Sequence, residues 1–132
     1  RAILERISTV GRKKYILMGK LKNIKEGGNG TWFHDVTIEA TANEMKAIAK
    51  NNNCKYWDNY GAINDKSQFD FNFETEEGII FTVYDWKEYR HYDLDDTLFW
   101  HIGGYTKAAT QAGSKELLTH LKDIRNGFKE KI

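Results

Sequence analysis

The chain has no proline, and its one cysteine, Cys54, leaves no partner for an intrachain disulfide. A lone thiol also makes any thiolate metal cluster depend on other ligand types. That usage suits a reducing compartment. No run approaches the roughly 18 consecutive apolar residues that a membrane span needs. Residues Arg1 to Lys22 lack the small-residue cleavage site of a secretory signal, so cytoplasm, or a host's cytoplasm, is the expected location. There is no internal repeat and no linker-like stretch that would part the chain in two. One domain, residues 1–132, is therefore expected. Net charge is scarce too, at +1.

What is present is a globular composition: 40% hydrophobic, 14% aromatic and 30% charged residues, too apolar for a disordered chain. A chain of this length buries about two thirds of its unfolded surface, enough to stand without metal or disulfide staples. The small total charge hides a segregation. Residues 1–25 hold eight Lys and Arg against Glu5 alone, a formal +7, whereas residues 58–96 hold eleven Asp and Glu against Lys66, Lys87 and Arg90, a formal −8. Such blocks steer charged partners when the fold keeps them apart, and otherwise serve only solubility.

Ile3, Leu4, Ile7 and Val10 recur at helical spacing, predicting a short helix from Ala2 to Val10 that stops at Gly11. Tyr15 to Leu21 has strand composition. The Gly-rich string ending at Gly30 and the alternation around Phe33, Val36 and Ile38 predict a hairpin whose return strand is Thr31 to Ala40. Thr41-Ala-Asn-Glu44 has the form of a capping box: a hydroxyl accepts from the backbone N–H three residues on, and a carboxylate reaches back. The helix it opens buries Met45, Ile48 and Ala49 and ends at Asn51 to Asn53. Lys55 to Lys66 reads as a packed loop. Gln68 to Glu74 alternates strictly, with Phe69, Phe71 and Phe73 on one face. Ile79 to Trp86 is apolar on both faces and so is expected at the centre of a sheet. Leu98 to Ile102 forms the last strand. Ser114 or a neighbour caps a final helix with the stripe Leu117, Leu121, Ile124 and Phe128, and Thr106 to Ala112 adds a turn or two before a kink at Gly113. The order predicts an α+β fold: a mainly antiparallel sheet of about five strands with two or three helices packed on one face.

The sharpest local string is Asp93-Leu-Asp-Asp-Thr97-Leu98. It resembles the DxDx(T/V) nucleophile motif of the haloacid-dehalogenase-like phosphatases, a resemblance covering six residues. It implies phosphoryl transfer with Asp93 as nucleophile, Asp95 as acid/base and Mg²⁺ assisting. That family sets the motif at the end of a buried strand early in the chain and completes the site from later strands. Here it follows Tyr89-Arg-His-Tyr92, and only 35 residues come after Thr97. Short isolated motifs match by chance, and Asp93, Asp95 and Asp96 are read as turn residues.

Other single residues take structural readings. His34 and Asp35, adjacent in a strand, point to opposite faces and cannot share an ion. His101 reads as a hydrogen-bonded, half-buried histidine. Cys54 has no local base to activate it. Gly103-Gly-Tyr-Thr-Lys107 lacks the spacing of the phosphate-binding glycine motifs and reads as a flexible link into a helix. No metal site and no cofactor are expected.

The residues that invite a partner lie in the loop after the central strand: Tyr84, Asp85, Trp86, Glu88, Tyr89, Arg90, Tyr92, Asp93, Asp95 and Asp96. Tyr, Trp and Arg dominate the energetics of protein interfaces, and loops carry function disproportionately. Aromatics also stack on single-stranded bases, but the acids here would repel phosphates. The expectation is a non-enzymatic interaction module engaging a basic, nucleic-acid-handling protein, in the manner of a small phage inhibitor. A proline-free chain rich in Lys, Asn, Tyr and Ile suits an AT-rich bacterium or its phage. The alternatives are nucleic-acid binding by the basic segment (Arg6, Arg12, Lys13, Lys14, Lys20, Lys22, Lys25) and phosphoryl transfer at Asp93 and Asp95.

Overall fold

The computed structural model of the protein describes residues 20–24 and 30–127. The predicted Ala2 to Val10 helix, most of the first strand, the 25–29 turn and Phe128 lie outside them.

The fold is α+β: among the described residues an antiparallel sheet with two helices, in the chain order β1 (Lys22–Asn23), β2 (Trp32–Thr41), α1 (Ala42–Asn51), β3 (Tyr56–Asp58), β4 (Phe69–Glu74), β5 (Ile80–Tyr84), β6 (Thr97–Gly104) and α2 (Lys107–Arg125). The sheet order is β1-β4-β5-β6-β2, with β3 also paired to β4. The strand that is apolar on both faces, β5, thus sits between β4 and β6, as its composition requires. β1 does not form a hairpin with β2. It pairs with β4, Lys22 opposite Glu74, and its neighbours are tied to α1 and β3 by Leu21 N–H to Asn52 Oδ1 (3.0 Å) and Lys55 N–H to Asn23 Oδ1 (2.9 Å). β3 lies inside the stretch expected to be a loop, and its pairing with β4 along Tyr56–Phe71, Trp57–Asp70 and Asp58–Phe69 is a tertiary event that no local pattern announces.

Alternation puts Phe69, Phe71, Phe73, Phe81, Val83, Leu98, Trp100 and Ile102 into one core with Met45, Ile48 and Ala49 of α1 and Leu117 and Leu121 of α2. Trp100 is fully buried and donates its indole N–H to the Ala40 carbonyl at 2.8 Å, so the largest core side chain leaves no polar atom orphaned. The predicted capping box is complete. Glu44 N–H reaches Thr41 Oγ1 at 3.0 Å and Thr41 N–H reaches Glu44 Oε1 at 2.9 Å. The same carboxylate takes a two-pronged bond from Arg125 at the end of α2, at 2.8 and 3.0 Å. Asn53, in left-handed geometry with φ 56°, follows the end of α1.

The last helix differs from its expected start. Thr106 is the N-cap, its hydroxyl accepting from Ala109 N–H at 3.0 Å, and Ser114 lies within the helix. Gly113 is an interior, buried helix position: a Cβ there would meet Phe81 side-chain atoms at 2.4 to 2.7 Å. The glycine lets α2 lie directly on β5. Gly103 and Gly104 likewise belong to β6 rather than to a loose link. A Cβ on Gly103 would strike Thr82 Oγ1, and one on Gly104 would strike Thr110, each at 2.5 Å.

Candidate functional site

Bonds from one buried residue and its neighbours set the loop that follows β5. Asp85 is 1% exposed, and its Oδ1 accepts the backbone N–H groups of Gln68 and Phe69, both at 2.8 Å. Its Oδ2 accepts the hydroxyl of Tyr92, itself 3% exposed, at 3.0 Å. The expectation that Asp85 and Tyr92 meet a partner is therefore corrected: both are internal braces, because the turn after β5 directs this carboxylate inward onto the start of β4. Burial, with the Asp85 charge next, drives the Tyr92 phenol well above its ordinary range, so it remains a donor to that carboxylate. Gln68, also buried, ties the loop further by donating to Arg90 O (3.1 Å) and accepting from Gly61 N–H (2.9 Å). Lys87 N–H binds Lys66 O at 2.7 Å, and the Tyr60 hydroxyl donates to Tyr92 O.

On this brace stand exposed side chains. Trp86, Tyr89 and Arg90 face solvent, with Glu88 half-buried. Arg90 Nε donates to Glu88 Oε1 at 3.1 Å, and the Lys87 ammonium sits 5.3 Å from the Trp86 ring centre. Lys87 and Tyr89 both hold positive φ, 52° and 50°. Side chains other than glycine pay for that geometry, so the surrounding bonds must hold it.

The acidic string 93–96 is a self-bonded turn. Asp95 N–H binds Asp93 Oδ1 at 3.0 Å, Asp93 N–H binds Asp96 Oδ2 at 2.9 Å, and Asn43 of α1 donates to Asp95 Oδ1 at 2.8 Å. The Asp93 and Asp96 carboxylates cap backbone N–H groups. Among the described residues no three His, Cys, Asp or Glu side chains converge as a metal site would need.

The surface that single-strand patterns did not assemble is the sheet face away from the helices, on which no described element packs. Pairing lines up Trp57 of β3, Asp70 of β4, Tyr84 of β5, His101 of β6 and Thr37 of β2 in one lateral row. The Phe33 ring stacks on His101 at 4.1 Å, and Tyr84 and Trp86 lie 5.6 and 6.0 Å from it. His101 is thus held by ring contacts. Its pKa is lowered by burial, against the opposing pull of Glu88. Phe99, 60% exposed, extends the patch, and Trp86 is 38% exposed. Phe33 reaches His101 because β2 carries an irregularity between Phe33 and Thr37, with Asp35 at φ 65°. Alternation in β6 does assign Phe99 and His101 to the face opposite Trp100. That Phe33, Tyr84 and Trp57 join them follows only from strand order and register.

Asp70 is the acid within this row. Burial, and then the nearby Asp85, raise its pKa to about 6. Its Oδ1 is buried and accepts no hydrogen bond among the described residues. Asp70 also lines an open cleft of about 510 Å³ with Trp57, Asn64, Asp65, Lys66, Ser67 and Tyr89.

The remaining candidates resolve simply. Lys20 and Lys22 are exposed, while Arg6, Arg12, Lys13, Lys14 and Lys25 lie outside the described residues. Cys54 is buried, and burial pushes its thiol up to about 11, away from nucleophilic character. His34 accepts the Trp32 indole N–H at Nδ1 (3.2 Å), which leaves Nε2–H to donate to Gly104 O at 3.1 Å. No described helix is long and apolar enough to cross a membrane. Comparison with known families, with curated proteins and with solved structures gave no match.

Proposed function

We propose that the protein is a non-enzymatic interaction module that engages a basic protein surface through the sheet face away from α1 and α2 and the adjoining 86–90 loop. The observation that carries this reading is the aromatic patch of Phe33, Tyr84, Trp86, Phe99 and His101, partly exposed on a face over which no described element packs. Large amphipathic rings that a fold leaves in contact with water are the usual anchors of an interface. Acids border them: Asp70 opposite Tyr84 on β4, Glu39 opposite Phe99 on β2, and Glu88 in the loop. That border favours a cationic partner and disfavours phosphate. A basic, nucleic-acid-handling protein in the cytoplasm, restrained by a small phage-type inhibitor, fits this chemistry. The 93–96 string supports a turn role in place of phosphoryl transfer, since Asp93 and Asp96 serve backbone N–H groups and Asp95 takes the Asn43 amide. Exposed rings beside Lys87 on an open sheet keep single-stranded nucleic acid as the second reading.

The test is capture from nuclease-treated native lysate by wild type and by a Trp86→Ala/Phe99→Ala double variant with an unchanged far-UV spectrum. A protein retained by wild type and lost by the variant supports the reading. Equal retention by both, or recovery of nucleic acid alone before nuclease treatment, overturns it.

A further inference from the structure

The cleft at the β3 end of the lateral row has walls of a particular chemistry. Trp57 (50% exposed) and Tyr89 (49% exposed) offer aromatic surface, and Asp70 and Asp65 offer carboxylates. Asn64 and Ser67 add neutral polar groups, and Lys66 is the one cation in the lining. The volume, about 510 Å³, falls in the range of small-ligand sites. Its walls are braced. Lys66 O holds Lys87 N–H, Gln68 joins Arg90 O to Gly61 N–H, and the Asn59 amide donates to Asp65 Oδ2 at 2.6 Å. The left-handed backbone at Tyr89 is part of what places this ring beside the 64–67 segment.

From these observations we infer that the cleft is a receptor for a single arginine side chain, with the guanidinium set against the Trp57 and Tyr89 rings and hydrogen-bonded to Asp70. Three features select that group. Two aromatic walls attract a cation, more so when it is partly desolvated. A planar guanidinium stacks on rings and is more weakly hydrated than an ammonium, so it enters a half-buried site at lower cost. Asp70 lines the cleft, and its carboxylate is the acceptor that a forked donor would take. With both carboxylates ionised and Lys66 charged, the lining carries a net −1, and Lys66 is exposed. Asp70 and Trp57 belong to the same row as Tyr84 and His101, so an arginine here would anchor the partner proposed above at one end of its footprint. The inference deepens that reading and rests on it for its biological meaning, though not for its test.

The probe is N-acetyl-arginine methylamide, titrated into ¹⁵N-labelled full chain, with the capped citrulline and capped lysine analogues as comparators. Expected are saturable shifts of the Trp57 indole N–H and the Asn64 and Ser67 amides, with dissociation constants on the order of millimolar for so small a ligand. Citrulline, which keeps the shape and loses the charge, should bind at least about fivefold more weakly, and Asp70→Asn should weaken arginine binding about tenfold. Binding by wild type should also weaken as pH falls through about 6, the range in which Asp70 takes up its proton. The charged and titratable groups around that carboxyl are Asp85, Tyr84, Asp65, Lys66 and Tyr89. Asp70→Asn keeps the side-chain shape, and the pH series on wild type gives the same answer if the variant fails to fold. Absence of saturable shifts, equal binding of citrulline or lysine, or insensitivity to both Asp70→Asn and pH would each overturn the inference. Because the capped amino acid needs no protein partner, a failure here leaves the lysate experiment to decide the sheet-face reading, and the reverse holds too.

Discussion

Two carboxylates a short distance apart behave in opposite ways, and their surroundings explain it. Asp85 is buried but saturated with donors: two backbone N–H groups and a phenol. Removing it strands all three. Asp85→Ala is therefore expected to cost about 3 to 5 kcal/mol of stability in urea melts, from unsatisfied buried donors at about 1 to 3 kcal/mol each. A loss under about 1 kcal/mol would return Asp85 to the list of surface residues. Asp70 has the opposite problem, being largely buried with one oxygen that finds no donor among the described residues. Burial, then Asp85, raise its pKa to about 6 from the ordinary 3.8, so the folded protein holds that proton more tightly than the unfolded chain does. That preference favours folding fully below the unfolded value and is lost as pH rises through 6. Between acid and neutral pH the wild type should accordingly lose about 1 to 2 kcal/mol relative to Asp70→Asn, less than the full shift implies because the carboxyl is partly exposed. Parallel stability–pH curves for the two proteins would contradict the assignment.

At the scale of elements, the helix α2 shows how contact overrides propensity. Glycine in a helix interior ordinarily costs about 1 kcal/mol against alanine, yet Gly113 stands where α2 meets Phe81 and a Cβ has no room. Gly113→Ala is expected to destabilise by about 1 to 3 kcal/mol despite its better propensity, since overpacking must displace a ring or the helix. A thermal scan showing stabilisation would mean that the helix shifts freely over β5. The loop after β5 makes the contrary case. Tyr89 and Arg90 are exposed, so truncating either to alanine should change stability by under about 0.5 kcal/mol. Trp86 packs on Tyr84 and His101 and should cost about 1 kcal/mol. If these side chains anchor a partner, affinity at the strongest of them should fall by about 2 kcal/mol. Stability losses with unchanged affinity per folded molecule would show them to be packing residues.

At the scale of the whole molecule, the sheet formed by the described residues has two unlike faces. One is filled by α1 and α2, and the other presents rings bordered by acids, while the formal +7 of residues 1–25 lies mostly outside the described residues. Any nucleic-acid affinity should therefore be weak and salt-sensitive. Contact with about six phosphates would give a log–log salt slope near −4 to −5. Fluorescence anisotropy with a labelled single strand checks this. Submicromolar affinity at physiological salt would promote nucleic acid over a protein partner.

Local pattern was enough for much of this architecture. The period of two in 68–74, the double-sided apolar run in β5, the capping box at Thr41 and the Leu117–Leu121 stripe each announce their element, because backbone geometry couples a side chain's direction to its place in the chain. Those patterns also place Phe99 and His101 opposite the core. They do not contain strand order. Which strand lies beside which is decided by burial of the common core, and this decision alone brought Trp57, Asp70, Tyr84, His101 and Phe33 onto one face and paired β1 with β4 instead of β2. Nor does composition separate an aromatic that braces from one that faces water: Tyr92 and Tyr89 stand three residues apart in the same loop, and Asp85 takes the hydroxyl of the first inward while the second stays half exposed. The sequence by itself determined most of the elements and their inner faces, β3 excepted, since these depend on neighbours along the chain. The exposed patch and its cleft were decided by tertiary structure, since they consist of contacts between residues that the chain keeps far apart.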